Sequence, residues 1–400
     1  MSSSELRIRV VPAIADIPAA AWEACANPAE SLSQQNPYNP FISHAFLAAL
    51  EESGSATART GWQPQHLVLE SQDGVSVLGV APAYLKSHSR GEYVFDAGWA
   101  EAYERAGGSY YPKVQVSVPF TPATGRRLLA APGEGAAAVR EGLATGLIEL
   151  AKLRDASSVH VTFTLENEWT LLGARGYLLR NDQQFHWENN SYATFDDFLG
   201  ALAARKRKAI RRERAGALEN GITVERLTGS DLTESVWDTF FAFYMDTGSR
   251  KWGRPYLTRK FYSLIGETMR ERILLVMAKR NGRYIAGAIN FIGGDTLYGR
   301  HWGAIEHHPF LHFELCYYQA IDFAIQNKLA RVEAGAQGEH KLARGYMPVT
   351  TYSAHYIADP ALRRAIADYL KRERAYVEAA GNELSAMGPF RKDLVFEDTE

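Results

Sequence analysis

Residues 273–356 carry the sequence pattern that most constrains how this chain can fold. Two hairpin signals, Asn281-Gly282 and Gly293-Gly294-Asp295, separate three runs that are rich in β-branched and aromatic residues. They predict an antiparallel meander with strands over residues 273–279, 284–292 and 296–304. A helix over residues 311–329 and a short strand over 331–334 are predicted to follow. This order of elements predicts a mixed α/β sheet with one helix packed across it.

The first half of the chain shows the same order of elements, which predicts a second unit of the same kind. Strands are predicted over residues 6–11, 65–70, 75–85, 114–118 and 159–164, and a helix over 136–154. A chain of 400 residues is long enough for about two domains. We therefore predict an α/β protein with a first domain over residues 1–190, a second over 191–358, and a C-terminal helix and tail over 359–400 that pack back on the first domain.

Composition excludes several classes of function. The net charge of −2 argues against a protein that binds nucleic acid over its whole surface, so any such binding must be local. The two cysteines, Cys25 and Cys316, provide neither a disulfide framework nor zinc-ligand spacing, and no metal site is predicted. The chain lacks the apolar core of a signal peptide and any apolar run of membrane-spanning length. These features predict a cytoplasmic protein.

A basic helix is predicted at the start of the second half. Thr194 and Asp197 form a capping-box pattern, and the helical pattern then continues to Gly221. Seven Lys or Arg residues fall within residues 205–214, diluted only by Glu213. One interpretation is a solvated helix face, and the other is a site for a nucleotide phosphate or RNA. The candidate ligand-binding residues of this helix are Lys206, Lys208 and Arg211.

The predicted helix over residues 311–329 places one carboxylate in an unusual position. His312, Gln319, Asp322 and Gln326 share one face at helical spacing, whereas Glu314 lies roughly 125° away, on the apolar side. A carboxylate on an apolar helix face is costly unless it forms an ion pair or has a catalytic or substrate-binding function. Glu314 is therefore either half of an ion pair with an arginine or a catalytic residue.

Further ionisable residues cluster around this helix. His301 lies on the third meander strand with Arg300 and Trp302 beside it, and Glu333 lies on the short strand after the helix. Polar residues then crowd a loop between Gly335 and Gly345, namely Gln337, Glu339, His340, Lys341 and Arg344. This loop is either a ligand-binding loop or an exposed polar turn. His301 is either a packed strand histidine or, with Glu314 and Glu333, a candidate general base.

An aromatic loop in the first half is the other candidate binding region. Asp96, Trp99, Tyr103, Tyr111 and Lys113 lie close together in a stretch interrupted by glycines. Aromatic rings with one acid and one lysine suit a cleft for a polar substrate, although they equally suit an aromatic core under a long loop. We expect Asp96 and Lys113 to face the catalytic candidates of the second half.

The chain resembles the FemAB/FemX group of the GNAT superfamily. In the second half the resemblance rests on AARKRKAIRRERAGALENGITVERL, FYMDTGSRKWGRPYLTRKFYSLI, RYIAGAINFIGGDTLYGRHWGAI and FELCYYQAIDFAIQNKLARVEAGAQGEHKLARGY, in the family's order. The first half is similar to a bacterial group described by peptidoglycan biosynthesis or recognition, through NPFISHAFLAALEESGSA, GWQPQHLVLE and FDAGWAEAYERAGGSYYPKVQVSVPFTPATGRRLL. This resemblance implies two tandem domains with the fold of acyl-CoA N-acyltransferases.

The resemblance also implies a reaction, namely the transfer of an acyl or aminoacyl group to an amine. The implied acceptor is a small molecule or peptide linked to peptidoglycan precursors. The implied co-substrate is acyl-CoA or aminoacyl-tRNA, with no tightly bound cofactor. The basic run over residues 205–214 separately predicts tRNA or a nucleotide phosphate as a candidate ligand of that helix. The alternative is a non-catalytic protein that binds a precursor or RNA. The run 307–313 favours this alternative because it lacks the glycines of an acyl-CoA phosphate loop.

Overall fold

The computed structural model describes residues 7–29, 36–252, 255–336 and 338–392, with the side chains at 251, 252 and 339 excepted. These residues form two compact units. The first comprises Met1–Asp182, Tyr256–Phe261 and Thr351–Glu378, and the second comprises Gln183–Pro255, Tyr262–Thr350 and Ala379–Glu400. The border at 182/183 lies inside a strand that ends at Glu188, so the predicted division at residue 190 lies just after this strand.

The strands alternate with helices along most of the chain. The strands are β1 (Arg7–Val11), β2 (Trp62–Pro64), β3 (His66–Glu70), β4 (Val77–Ala81), β5 (Ala83–Lys86), β6 (Lys113–Val116), β7 (Leu129–Ala130), β8 (Ser158–Thr164), β9 (Leu178–Glu188), β10 (Ile222–Leu227), β11 (Ile273–Arg280), β12 (Arg283–Ile292), β13 (Thr296–Ala304), β14 (Arg331–Glu333) and β15 (Met347–Ile357). The helices are α1 (Ala19–Ala26), α2 (His44–Glu52), α3 (Ala97–Arg105), α4 (Ala136–Leu153), α5 (Glu166–Ala174), α6 (Phe195–Ala201), α7 (Ala204–Ala217), α8 (Glu234–Trp252), α9 (Arg259–Thr268), α10 (Leu311–Phe313), α11 (Gln319–Gln326) and α12 (Pro360–Ala386).

The sheet of the second unit contains the predicted meander. Its strand order is β10-β11-β12-β13-β14-β9, in which the first four strands are antiparallel neighbours. β14 is parallel to β13, and β9 returns antiparallel to β14. Asn281 has a φ of 51° and Gly282 a φ of 74°, the left-handed pair that a tight hairpin between β11 and β12 requires.

The first unit has two sheets. One has the order β1-β3-β4-β7, and the strands of the other that lie in this unit follow the order β15-β8-β6-β5-β2. One strand is predicted over residues 75–85. In the structure, Pro82 divides this run into β4 and β5, which lie in different sheets. Proline cannot donate to a strand ladder, so it stands where the chain changes sheets. β6 and β8 are parallel and β15 is antiparallel to β8, which repeats the arrangement of β13, β14 and β9.

Each unit has its own hydrophobic core. In the second unit, Trp187, Phe198, Leu315 and Tyr318 pack with the apolar faces of β11–β14. In the first unit, Leu143 and Leu147 of α4 pack on the valines of β6 and β8. The beginning of α12 packs through Leu362, Ile366 and Leu370 against Trp99 and Tyr110 of the first unit.

The basic helix differs from its prediction as one continuous element. The capping box is confirmed, since Asp197 N donates to Thr194 Oγ1 at 3.1 Å and Thr194 N donates to Asp197 Oδ2 at 2.8 Å. However, the helix breaks at Leu202, which pairs as an isolated bridge with Phe390. Ala203 N also donates to Pro389 O at 2.9 Å. Residues 389–391 of the predicted tail therefore pair with the second unit, and their hydrogen bonds replace those that would continue α6 into α7.

Candidate functional site

The parallel strands β13 and β14 of the second unit part along their length, and this parting is here called the fork. β13 spans nine residues but pairs with β14 only from Thr296 to Tyr298, and the two strands part beyond Tyr298 and Glu333. β13 also carries a bulge, because Ile289 pairs with His301 and Asn290 with Gly299, which leaves Arg300 as the extra residue. Bulges of this kind re-aim side chains and occur often beside active sites.

Glu333 and His186 lie at the apex of the fork. They are register partners on β14 and β9, and His186 Nε2 lies 4.0 Å from Glu333 Oε2. His186 Nε2 is also 3.2 Å from Gln184 Oε1, while its Nδ1 is buried without a hydrogen-bond partner in the described part of the chain. Burial lowers the pKa of His186 to about 3, so its imidazole is neutral at physiological pH.

A short 3₁₀ helix over Glu339–Arg344 supplies Lys341 beside this fork. The buried Lys341 Nζ donates to the main-chain carbonyls of Ala334 and Gly335, which directly follow β14. Burial lowers the pKa of Lys341 to about 8, so the ammonium form still predominates at neutral pH. The structure thus places a cation and a carboxylate, Lys341 and Glu333, next to the same strand end.

His301 and its strand neighbours are divided between the two faces of the sheet. His301 packs edge-on to Tyr244 of α8, with ring centroids 5.1 Å apart, whereas Trp302 contacts His312 on the opposite face at 5.2 Å. Burial, aided by the charge of Arg300, lowers the pKa of His301 to about 3. By strand alternation, Glu333 lies on the same face as His301 because Val332 faces the core beneath the helices.

Glu314 lies on the other face, in a helix that is irregular at this point. The predicted helix over residues 311–329 contains a π-helical segment, Glu314–Tyr318, between α10 and α11. The buried Glu314 carboxylate accepts from Arg214 Nε at 3.1 Å, from Arg214 Nη2 at 2.9 Å and from Gln319 Nε2 at 2.7 Å. The sheet lies between Glu314 and the two residues His301 and Glu333, so the structure does not bring the three side chains together. The geometry of Glu314 is that of the alternative, an ion pair with an arginine.

Only part of the basic helix lines a cavity. Lys206 and Arg205 of α7 line a cavity of about 340 Å³ together with Glu213 and with Arg344 of the 3₁₀ helix. Lys208 and Arg211 are exposed and do not line it, and Arg211 instead pairs with Asp196 at 3.0 Å. The predicted trio Lys206, Lys208 and Arg211 is thus not brought together.

A polar network lies buried in the first unit, among the residues of the predicted aromatic loop. Lys113 Nζ donates to Glu92 Oε2 at 2.6 Å, to Ser89 Oγ at 2.8 Å and to Asp96 Oδ2. Burial opposes the charge on Asp96, but the ammonium of Lys113 holds the pKa of this carboxyl well below its usual range. Burial likewise opposes the charge on Lys113, whereas Glu92 and Asp96 raise its pKa.

Two histidines extend this network across the sheet of the first unit. Tyr84, Gln115, His160 and His355 are successive register partners on four strands, so their side chains share one face. His160 Nδ1 and His355 Nδ1 are 2.7 Å apart, and His160 Nε2 is 2.8 Å from Ser158 Oγ. Burial lowers the pKa of His160 to about 3 and that of His355 far below its usual value. The pair is therefore neutral, with one ring donating and the other accepting.

The remaining predicted residues have various surroundings. Trp99 stacks on His160 and lies under Arg180, whose Cζ is 5.0 Å from the ring. Tyr111 lies 2.8 Å from Ser89 Oγ, and Tyr103 packs half-buried against the same cluster. His340 Nε2 is 2.9 Å from Tyr317 Oη. Gln337 and the side chain of Glu339 lie outside the described residues.

Several members of these clusters are not among the residues predicted from the sequence. His186 lies between the buried Phe185 and Trp187 on β9. Glu92 lies in the segment between β5 and α3 of the first unit. The signal for His186 was the alternation of QQFHWE, which places a histidine on the face opposite two aromatic core residues. His160 and His355 gave a similar signal in VHVTFT and SAHYI, since each is a polar residue at an alternate strand position.

Within the described residues, no helix is both long and apolar enough to cross a bilayer. In the same part of the chain, no three His, Cys, Asp or Glu side chains are grouped so that they could hold a metal ion.

The architecture defines a class of protein with two tandem GNAT-like α/β units. It is similar to the crystal structure of FemX, with 14% identity, a TM-score of 0.50 and coverage of 79% of this chain and 93% of that one. It is also similar to the C-terminal domain of a putative lysylphosphatidylglycerol synthetase from Agrobacterium fabrum, with 9% identity, a TM-score of 0.52 and coverage of 88% and 96%. The structure of L-PGS from Bacillus licheniformis matches at 9% identity and a TM-score of 0.50, covering 84% and 98%.

The family assignment comes from the sequence as a whole. The profile of the FemAB-like family, described by peptidoglycan biosynthesis and recognition, matches residues 13–392. The chain belongs to this family. Among curated proteins, no sequence matches it. The predicted resemblance and the predicted tandem GNAT-like fold are both confirmed.

Proposed function

We propose that this protein is an N-acyltransferase or aminoacyltransferase that forms an amide on an amine acceptor at the fork between β13 and β14. The observation that carries the proposal is the parting of the two parallel strands beyond Tyr298 and Glu333. Where two strands part, the main chain of β13 offers an edge to which an extended acyl donor can bind by strand-like hydrogen bonds. Membership of a family described by peptidoglycan biosynthesis supports an acceptor of that class.

The cation beside the fork has a defined role in this reaction. Attack of the amine on the acyl carbonyl makes a tetrahedral oxyanion, which a fixed hydrogen-bond donor stabilises. Two main-chain carbonyls orient the ammonium of Lys341, and its burial strengthens its interaction with a developing negative charge. We assign oxyanion stabilisation to Lys341. Collapse of the oxyanion then expels the thiol of coenzyme A or the ribose hydroxyl of tRNA.

The carboxylate at the apex has the complementary role. An ammonium acceptor must lose a proton before or during its attack, and a positioned carboxylate can take that proton. Glu333 is buried at the point where the strands part, with the neutral His186 within 4.0 Å. We assign proton removal to Glu333 and its positioning to His186.

Transfer assays with purified variants test these assignments. The acceptor is a peptidoglycan-type peptide with a free amine, and the donors are acyl-CoA in one arm and aminoacyl-tRNA in the other. We expect Glu333→Gln and Lys341→Met each to lower turnover about 100-fold or more. The matched controls are Glu188→Gln on the adjoining strand and Lys328→Met on the same unit's surface, which we expect to retain turnover.

Two results would contradict the proposal. Unchanged turnover in both Glu333→Gln and Lys341→Met would move the chemistry away from the fork. A wild-type protein that binds the peptide but forms no amide with either donor would instead be a binding protein that retains the GNAT fold.

A further inference from the structure

The cavity beside α7 is a second feature of the second unit, distinct from the fork. It has a volume of about 340 Å³, near the lower end of the range for small-ligand pockets. Three of its lining side chains are cations, Arg205, Lys206 and Arg344, and one is a carboxylate, Glu213. No carboxylate forms an ion pair with Arg205 or Lys206 within the described residues, so the cavity carries an excess of positive charge.

Arg344 is held rigidly at this cavity. Its Nη1 donates to His340 O at 2.6 Å, its Nη2 lies 2.9 Å from both oxygens of Glu213, and its Cζ lies 3.5 Å from the centre of the Phe313 ring. The remaining donor, Nε, is buried and has no hydrogen-bond partner in the described part of the chain. A buried donor without a partner costs about 1–3 kcal/mol. An unsatisfied donor on an arginine whose side chain lines a cationic cavity favours an anionic ligand there.

Glu213 does not cancel the positive charge of the site. Both of its oxygens bind Arg344, and Tyr318 Oη donates to it as well. Its negative charge is therefore compensated by Arg344 alone, while Arg205 and Lys206 remain available from the first turn of α7. Two further cations next to a fixed guanidinium suit the several oxygens of a phosphate group.

We propose that this cavity binds a phosphate or diphosphate group, with Arg344 Nε, Lys206 and Arg205 as its donors. The site itself does not depend on the proposed function. The identity of the ligand does rest on it, because both acyl-CoA and aminoacyl-tRNA carry phosphates and the same chemistry would hold either donor.

Calorimetric titration with inorganic pyrophosphate tests the site directly. We expect Lys206→Ala to weaken pyrophosphate binding about tenfold or more, and Arg344→Lys to weaken it because lysine lacks the fixed Nε donor. The matched control is Lys208→Ala, a change of the same charge two residues along the same helix but outside the cavity. It should change the affinity by less than about twofold, since screened surface charges contribute little. Circular dichroism establishes that each variant is folded.

Three outcomes would overturn the inference. They are the absence of pyrophosphate binding to the wild type, equal losses in Lys206→Ala and Lys208→Ala, and unchanged binding in Arg344→Lys. Titrations with coenzyme A and with an RNA acceptor-stem hairpin identify the source of the phosphate, because only the true ligand should lose affinity in Lys206→Ala. Glu333→Gln should bind pyrophosphate like the wild type. Intact pyrophosphate binding without amide formation would therefore overturn the proposed function alone.

Discussion

Lys341 and Arg344 lie three residues apart in one 3₁₀ helix, but their cationic groups enter different surroundings. Lys341 donates to the carbonyls that follow β14, whereas Arg344 donates to Glu213 on α7. The 3₁₀ helix ends at Gly345, whose φ is 89°. A Cβ atom at this position would lie 2.9 Å from the Phe198 ring, so there is no room for a side chain. One short segment therefore positions both the ammonium of Lys341 beside the fork and the guanidinium of Arg344 at the cavity beside α7.

The pKa of Lys341 predicts an alkaline limit to the transfer reaction. This pKa is lowered to about 8, so the ammonium loses its proton as the pH rises through that value. We expect the turnover of the wild type to fall about tenfold per pH unit above this point if the cation is required. Lys341→Arg should remove this fall because arginine stays charged. An identical alkaline limb in wild type and Lys341→Arg would exclude Lys341 as its source.

Glu314 is expected to matter for stability and not for chemistry. Glu314→Gln removes the charge that Arg214 binds through two hydrogen bonds, each of which is worth about 1.5–3 kcal/mol when one partner is ionised. We expect a loss of roughly 2 kcal/mol in the free energy of unfolding, measured with urea, and little change in turnover per folded molecule. Asp196→Asn, which removes the partner of the exposed Arg211, is the control and should leave stability nearly unchanged. A large loss of turnover with unchanged stability would restore the catalytic interpretation.

The buried network of the first unit is expected to depend on Lys113. Lys113→Met would leave the carboxylate of Asp96 buried without its ammonium partner, and Glu92 would keep Lys86 at 3.7 Å. Removing one partner of a buried ion pair costs about 3–5 kcal/mol, and we expect a loss of this size in urea unfolding. Lys152→Met, which removes an exposed partner of Glu149, should cause no measurable loss. Equal, small losses in both variants would show that the network contributes nothing to folding.

Because His160 and His355 are buried as neutral side chains, we expect the first unit to lose stability in mild acid. The folded pKa of His160 is about 3 and that of His355 is far below 6.5, so between these values the unfolded chain binds protons that the folded chain does not. Stability should therefore fall as the pH drops below about 6.5, by about 1.4 kcal/mol per pH unit for each such histidine. Asp96, Lys113 and Arg180 are the charged groups that surround the pair.

Urea midpoints between pH 4.5 and 7 measure this effect. His355→Gln should reduce the dependence of stability on pH by about one proton. The same pH dependence in His355→Gln and in the wild type would contradict the assignment. The exposed His307 offers a control, since His307→Gln should leave the dependence unchanged.

The sequence predicted the elements of the fold better than their continuity. Hairpin signals such as Asn281-Gly282 are local, so the meander could be read directly from the chain. The break at Leu202 could not, because it depends on a bridge to Phe390, which lies far away in sequence. Helical periodicity continues through that position, and only the tertiary partner decides against it.

The candidate site was predictable by residue type but not by face. Lys206 was selected from a charge run, Lys341 and Arg344 from a polar loop and Glu333 from its place on a short strand, and the structure places them at the fork or the cavity. Glu314 was grouped with Glu333 because spacing shows that a carboxylate lies on the apolar side of a helix but not which sheet face that helix covers. His186 was missed because its partner, Glu333, lies on a strand that is distant in sequence.

The π-helical segment over Glu314–Tyr318 lets this helix hold one additional residue without changing the direction of the helix face that follows. A π turn holds one residue more than an α turn, so the chain after Tyr318 is rotated by about 100° relative to an uninterrupted α-helix. Deleting one residue here, such as the half-buried Cys316, would restore regular winding and leave Gln319 and Asp322 facing Arg226, because the lost residue and the lost π turn cancel each other's rotation. Homologous chains of this shape should therefore tolerate the loss of one residue at this point, with the same side chains of α11 still facing β10.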